Sequence, residues 1–200
     1  MRIGTCSWKF PEWRWIYGES GDAKGFNHLQ QYSRFYEAVE VDQWFWSLFR
    51  DAHAVLPDPA TVAGYLSSVD AGFRFAIKAP NALTLTHHYP RYTGGELRPN
   101  PHFLQVGLME AFVERIEPML PQTDVIMLQF EYLNRKKSSG PNEFRDALGA
   151  FLADCRSRWP ELPLAVECRN GRWLDRAWFS FLHQQSTGPV FTQGYFLPPV

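Results

Sequence analysis

No apolar run in the sequence approaches the roughly 20 residues that a membrane-spanning helix requires, so no membrane association is expected. Cysteine is scarce. Cys6, Cys155 and Cys168 are odd in number, lack CxxC spacing and follow no secretory leader, since Met1-Arg2 runs straight into a strand-like stretch. That argues against a disulfide framework and makes a cytoplasmic setting the simpler expectation. Excess charge of one sign is missing too: 20 basic and 21 acidic residues are scattered along the chain for a net charge of −1, leaving no strong nucleic-acid or anionic-membrane signature. There is no GxSxG, Walker loop, GxGxxG or HExxH-like spacing, no internal repeat and no low-complexity linker.

What is present is core material. A chain of 200 residues with 45% hydrophobic content can build one globular domain. Aromatics make 16% of it, and many fall just after strand-like runs, where large rings either fill a core or wall a ligand. The β-rich runs lie at 2–8, 38–46, 73–80, 124–132, 164–169 and 189–196, and helix-like stretches separate several of them. Asn100 and Pro101 predict the start of a helix whose stripe is Leu104, Leu108, Phe112, Val113 and Ile116, with Pro118 to kink or end it. Residues 142–159 predict another with Phe144, Leu148, Phe151, Leu152 and Cys155 inward; Phe26, Leu29, Tyr32, Phe35 and Tyr36 form a weaker stripe.

The strands carry the functional signal. In "LAVECRNGRW", Leu164, Val166 and Cys168 share one face while Ala165, Glu167 and Arg169 share the other. Phe73, Phe75 and Ile77 oppose Arg74, Ala76 and Lys78; Val39 and Val41 oppose Glu40 and Asp42; Ile126, Leu128 and Phe130 oppose Met127, Gln129 and Glu131. An open doubly wound sheet leaves little room for such charges, whereas a (β/α) barrel packs the apolar faces outward and gathers the polar ones near the strands' carboxyl ends. The expectation is an α/β, TIM-barrel-like fold. Cys6 and Cys168 read by parity as core thiols.

The blocks "IGTCSW", "VEVDQWFWSL", "FRFAIKAP", "LTLTHHY", "VIMLQF" and "LAVECRNGRW" resemble, in that order, those of the YecE-like family, the domain-of-unknown-function family numbered 72. The resemblance covers nearly the whole chain and implies a single TIM-barrel-like domain over residues 1–200. It also implies recurrent polar positions at Glu40, Lys78, Thr86, His87, Gln129, Glu167, Arg169 and Trp173. Asp42, Trp46, Cys168 and Asn170 depart from the residues usual at their positions. Family members usually continue for some tens of residues, so the barrel is expected to lack its last strands and helices, and an open barrel favours self-association.

Several chemistries fit these residues. Glu167 could serve as general base or metal ligand, Arg169 and Lys78 as an anion clamp, Glu40, Asp42 and Gln129 as ligand-positioning groups, and His87 as a proton shuttle. The alternative for Glu167, Arg169, Lys78 and Glu40 is a buried structural ion network. Glu40, Asp42, His87 and Glu167 could together hold a divalent metal, and Trp8, Trp13, Trp15 and Trp46 could wall a pocket. The leading expectation is an enzyme using acid/base chemistry on a small polar or anionic ligand, a phosphorylated sugar or nucleotide-derived compound. The competing one is a non-catalytic module that binds nucleic acid or carbohydrate through an aromatic wall.

Overall fold

An apolar strand face must be covered, and here a helix follows most strands to cover it. The computed structural model describes residues 1–17, 25–48 and 53–193. β1 (Gly4–Cys6) leads through a 3-10 turn into the short α1 (Arg14–Tyr17) and α2 (His28–Tyr32). Next come β2 (Ala38–Val41), α3 (Pro59–Leu66), β3 (Arg74–Lys78), the one-turn α4 (Asn81–Thr84) and α5 (Val106–Ile116). β4 (Thr123–Phe130), α6 (Pro141–Arg158), β5 (Leu164–Cys168), α7 (Arg176–Gln184) and β6 (Gly188–Pro189) follow. The six strands are parallel and lie in sequence order, so each crossover returns to the neighbouring position, as in a (β/α) barrel. The architecture is TIM-barrel-like α/β, and among the described residues the sheet does not close.

The alternation in the strands decides where the core sits. Val39, Val41, Phe75, Ile77, Ile126, Leu128, Phe130, Leu164, Val166 and Cys168 are all buried in one cluster with Tyr32 of α2, Val62 of α3, Phe112 and Ile116 of α5, and Trp178 and Leu182 of α7. α6 adds Phe144, Leu148, Phe151, Leu152 and Cys155, the stripe expected of it. Each large side chain in this layer contributes about 1.5–3 kcal/mol of transfer free energy, and the other strand face is thereby left for polar groups.

Departures from the sequence reading have local causes. The strand expected over 38–46 stops at Val41, because Phe45 N–H bonds the Asp42 carbonyl at 3.0 Å and the chain turns. Trp44 is then buried against Tyr65 while Trp46 stays 54% exposed. The helix expected from Asn100 begins instead at Val106. Buried Asn100 donates to the carbonyls of Ala82 at 2.7 Å and Leu85 at 2.6 Å and accepts from His102 N–H at 3.0 Å. Leu104 sits at φ 54°, which helical continuity does not allow. Pro118 acts as expected: α5 gives way to 3-10 geometry over Glu117–Gln122. Phe35 lies beyond the end of α2 and is exposed. The sixth strand, expected over 189–196, is Gly188–Pro189; residues 194–196 lie outside the described residues. α3 and α7 were not anticipated, although Asp58 and Asp175 cap them, accepting from Thr61 N–H at 3.0 Å and Trp178 N–H at 2.8 Å.

Candidate functional site

Charge on the inner face of a sheet is costly unless it is partnered. Glu40 of β2 and Lys78 at the end of β3 both face inward, and their ion pair closes at 2.6 Å with side chains 25% and 16% exposed. Burial opposes the Lys78 charge, but the hydrogen bond and charge of Glu40, helped by Cys6 and Glu167, outweigh it and hold its pKa above the ordinary lysine value. Glu167 of β5 and Arg169 just beyond its end are two residues apart and pair with each other. Arg169 Nε donates to Glu167 Oε1 at 2.9 Å, the carboxylate buried and the guanidinium half exposed. Gln129 of β4 stands beside Glu167 in the ladder.

At the carboxyl ends of β2 to β5, Lys78, Gln129 and Arg169 open onto a cavity of about 200 Å³. Asp42, Phe45 and Trp46 line it from the turn after β2, Lys78 from β3, Leu85 and Tyr89 from the connection to α5, Gln129 from β4, Glu131 from just beyond it, and Arg169 from just beyond β5. This is where sites form in (β/α) barrels, because consecutive strand ends converge there. Glu131 is held by Lys137 at 2.5 Å. Asp42 accepts from Cys6 Sγ at 3.6 Å and has no cation within ion-pair distance among the described residues. Gln129 is buried, and its Oε1 has no hydrogen-bond partner among the described residues. Burial raises the Tyr89 phenol above its ordinary pKa, against the pull of Asn81, Arg91 and Arg169.

A family model described as "Protein of unknown function DUF72" matches residues 2–193. The chain belongs to the DUF72 family. A DUF72 family protein from Thermotoga maritima MSB8 superposes with a TM-score of 0.61 at 21% identity, over 94% of this chain and 63% of that one. A DUF72 family protein from Enterococcus faecalis V583 gives a TM-score of 0.60 at 18% identity, over 94% and 59% respectively. At these identities the likeness is one of fold. The chain spans less than two thirds of the length of these solved relatives. No curated protein matches it.

In the DUF72 chain, the expected site residues Asp42, Trp46, Lys78, Gln129 and Arg169 line one cavity. Glu40 and Glu167 stand behind it as counter-ions to Lys78 and Arg169. His87 pairs through Nδ1 with Thr86 Oγ1 at 3.0 Å; burial and then Lys137 lower its pKa, with Glu131 opposing, which favours the neutral ring. Glu40, Asp42, His87 and Glu167 are not drawn together as a metal set, and among the described residues no three His, Cys, Asp or Glu side chains are placed to hold an ion. Trp8, Trp13 and Trp173 lie in hydrophobic packing rather than on the cavity: Trp8 is edge-on to Tyr65, Trp13 stacks over Tyr32, and Trp173 meets Phe144. The side chain of Trp15 lies outside those described.

Cys6 corrects the parity reading. Thr5, not Cys6, faces α2, its N–H donating to the Tyr32 hydroxyl at 2.8 Å, so Cys6 is exposed on the polar face beside Asp42. Its thiol is pushed up to about 12 by desolvation and then by Glu40 and Asp42, which favours the protonated thiol over the thiolate; burial pushes Cys168 up to about 11. Four lining residues were missed. Glu131 shares parity with Gln129 and was readable as such, and Phe45 lies between two tryptophans in the block "VEVDQWFWSL". Leu85 and Tyr89 lie in the block "LTLTHHY" but were not singled out, because a connecting segment folded by Asn100 brings them in.

Proposed function

We propose that this DUF72 chain binds a small, polar, anionic ligand at the carboxyl ends of β2 to β5 and performs acid/base chemistry on it. The observation that supports this is convergence: two cations, two carboxylates and an amide from consecutive strand ends meet around one small cavity with aromatic walls. Arg169 has its Nε engaged by Glu167, and its remaining N–H groups form a fork suited to a carboxylate or phosphate. Lys78 supplies a second positive charge. Glu167 and Glu40, each tied to one of these cations, act as positioning residues. Asp42 is the lining carboxylate without a cation among the described residues, and it takes the proton.

The aromatic wall of Phe45, Trp46 and Tyr89 supports a second reading, a binding module with no turnover. Thermal-shift titration with a panel of sugar phosphates and nucleotides, followed by assay of each binder for conversion, tests both. Arg169→Ala is expected to weaken the binders by about tenfold or more, the loss of one charge-assisted fork. Asp42→Asn should leave binding within about twofold while abolishing conversion. Identical responses of wild type and Arg169→Ala to every binder overturn the anion site. Conversion undiminished in Asp42→Asn overturns the acid/base role.

A further inference from the structure

We infer that the connections following β3, β4 and β5 form a docking surface for a single-stranded nucleic acid. The inference goes beyond the small-ligand reading, because it rests chiefly on side chains outside the cavity. The strands run parallel, so every segment that follows a strand's last residue starts from the same end of the sheet. The connections at 79–105, 131–140 and 169–175 hold seven of the 20 basic residues but three of the 21 acidic ones. A chain of net charge −1 therefore turns a local excess of four positive charges to that end. Along the sequence these cations look scattered, and the fold gathers them.

The cations are available, and the segments that carry them are held together. Arg91, Arg98, Arg135, Lys136, Arg169 and Arg172 are exposed. Two of the three acidic residues are engaged, Glu131 by Lys137 at 2.5 Å and Asp175 by Trp178 N–H at 2.8 Å. Buried Asn170 accepts from Leu133 N–H at 2.8 Å and donates to the Leu133 carbonyl at 2.9 Å. That clamp fixes the segment carrying Arg135 and Lys136 to the one carrying Arg169 and Arg172. Tyr89, Glu131 and Arg169 line the same cavity, which brings in the third connection. Asp42 lines it from the turn after β2, outside the three basic connections.

Charge alone fits any polyanion; the rings select among them. Trp46 is 54% exposed and Tyr132 64% exposed. The Trp46 and Tyr89 rings lie 6.4 Å apart, the Tyr89 and Tyr92 rings 6.3 Å apart, and the Arg91 guanidinium sits 5.2 Å from the first tyrosine and 4.7 Å from the second. This is a run of flat groups and a cation leading out from the cavity wall. Unpaired bases stack on such rings while their phosphates meet the flanking cations. A duplex keeps its bases stacked on one another and leaves the rings uncovered.

Fluorescence anisotropy of the full chain with labelled DNA and RNA single strands of about 12 nucleotides, the matching duplex, and heparin as a polyanion without bases tests this. A single strand is expected to bind about tenfold or more tighter than the duplex. With about four phosphates neutralised, each contributing a slope of about 0.7, a fourfold rise in salt should weaken it by about 50-fold. Replacing exposed Arg135 and Lys136 together by Ala should weaken it by about fivefold or more and flatten that salt dependence. Tyr132→Ala, at an exposed position where the fold is not at stake, should weaken the single strand by about fivefold or more and leave heparin within about twofold. Duplex bound as tightly as single strand, or Tyr132→Ala without effect, would make this a general polyanion surface and overturn the inference. So would the absence of binding by any strand below about 100 μM at low salt. None of these variants replaces a cavity-lining residue, so their failure leaves the anion site of the cavity standing.

Discussion

Lys78 holds its proton because Glu40 lies 2.6 Å from its ammonium, and this one contact ties protonation to stability. Its folded pKa is raised above the unfolded value, burial lowering it and Glu40 more than restoring it. The contribution is therefore fully present below the unfolded lysine pKa of about 10.4 and is lost as pH rises through the folded value. Glu40→Gln leaves a mostly buried ammonium without its counter-charge and should lower the urea unfolding free energy by about 2 kcal/mol at neutral pH. The gap to wild type should close as pH climbs past the folded Lys78 pKa. A gap unchanged through the lysine range would show that the pair does not couple protonation to folding. These residues were readable in the sequence because a period of two exposes any charge placed on an otherwise apolar strand. The partnerships were less so: Glu167 looked like the chemical group of β5, yet its carboxylate is held beneath Arg169, and the guanidinium faces the cavity. Trp8 and Trp173 look no different from Trp46 in sequence, since a ring in a core and a ring in a wall obey the same pattern.

At the scale of elements, α4 does more than its single turn suggests. Asn81 at its start accepts from Ser47 N–H at 3.0 Å, from the Ser47 hydroxyl at 3.0 Å and from Leu48 N–H at 2.9 Å. It also donates its own N–H to the Phe45 carbonyl at 2.7 Å. The turn after β2, which carries Phe45 and Trp46, is thus tied to the start of α4 through one buried residue. Asn81→Ala strands three donors away from water and should cost about 3 kcal/mol or more in urea unfolding, with a shift in Trp46 fluorescence as the wall loosens. Asn81→Asp keeps the acceptor and should recover most of the loss. A cost below about 1 kcal/mol for the alanine variant would mean that the wall is held by other contacts. No pattern in "KAPNALT" announces this, because a one-turn helix has no period to read. α6 was legible from its stripe; the start of α5 was not, because Asn100 gave its side chain to α4 instead of capping a helix.

At the scale of the molecule, a sheet that does not close among the described residues has consequences that neither strand nor helix shows alone. β1 pairs with β2 only and β6 with β5 only among the described residues, so the outer edges of both offer unpaired backbone groups to another chain. Ile3 lies exposed beside the β1 edge, and near β6 Phe179 and Phe191 place their rings 6.1 Å apart, both exposed. A net charge of −1 and an isoelectric point near 6.6 supply little repulsion at neutral pH to keep such edges apart. Self-association should therefore be strongest near pH 6.6. It should weaken toward about pH 8.5, where the net negative charge grows and copies repel one another. Sedimentation velocity over a concentration series at both pH values measures this, and Ile3→Lys, which sets a charge at the β1 edge, should shift the distribution toward monomer. If the chain sediments as a concentration-independent monomer at pH 6.6, the two strand edges are closed to other copies and the self-association prediction is wrong.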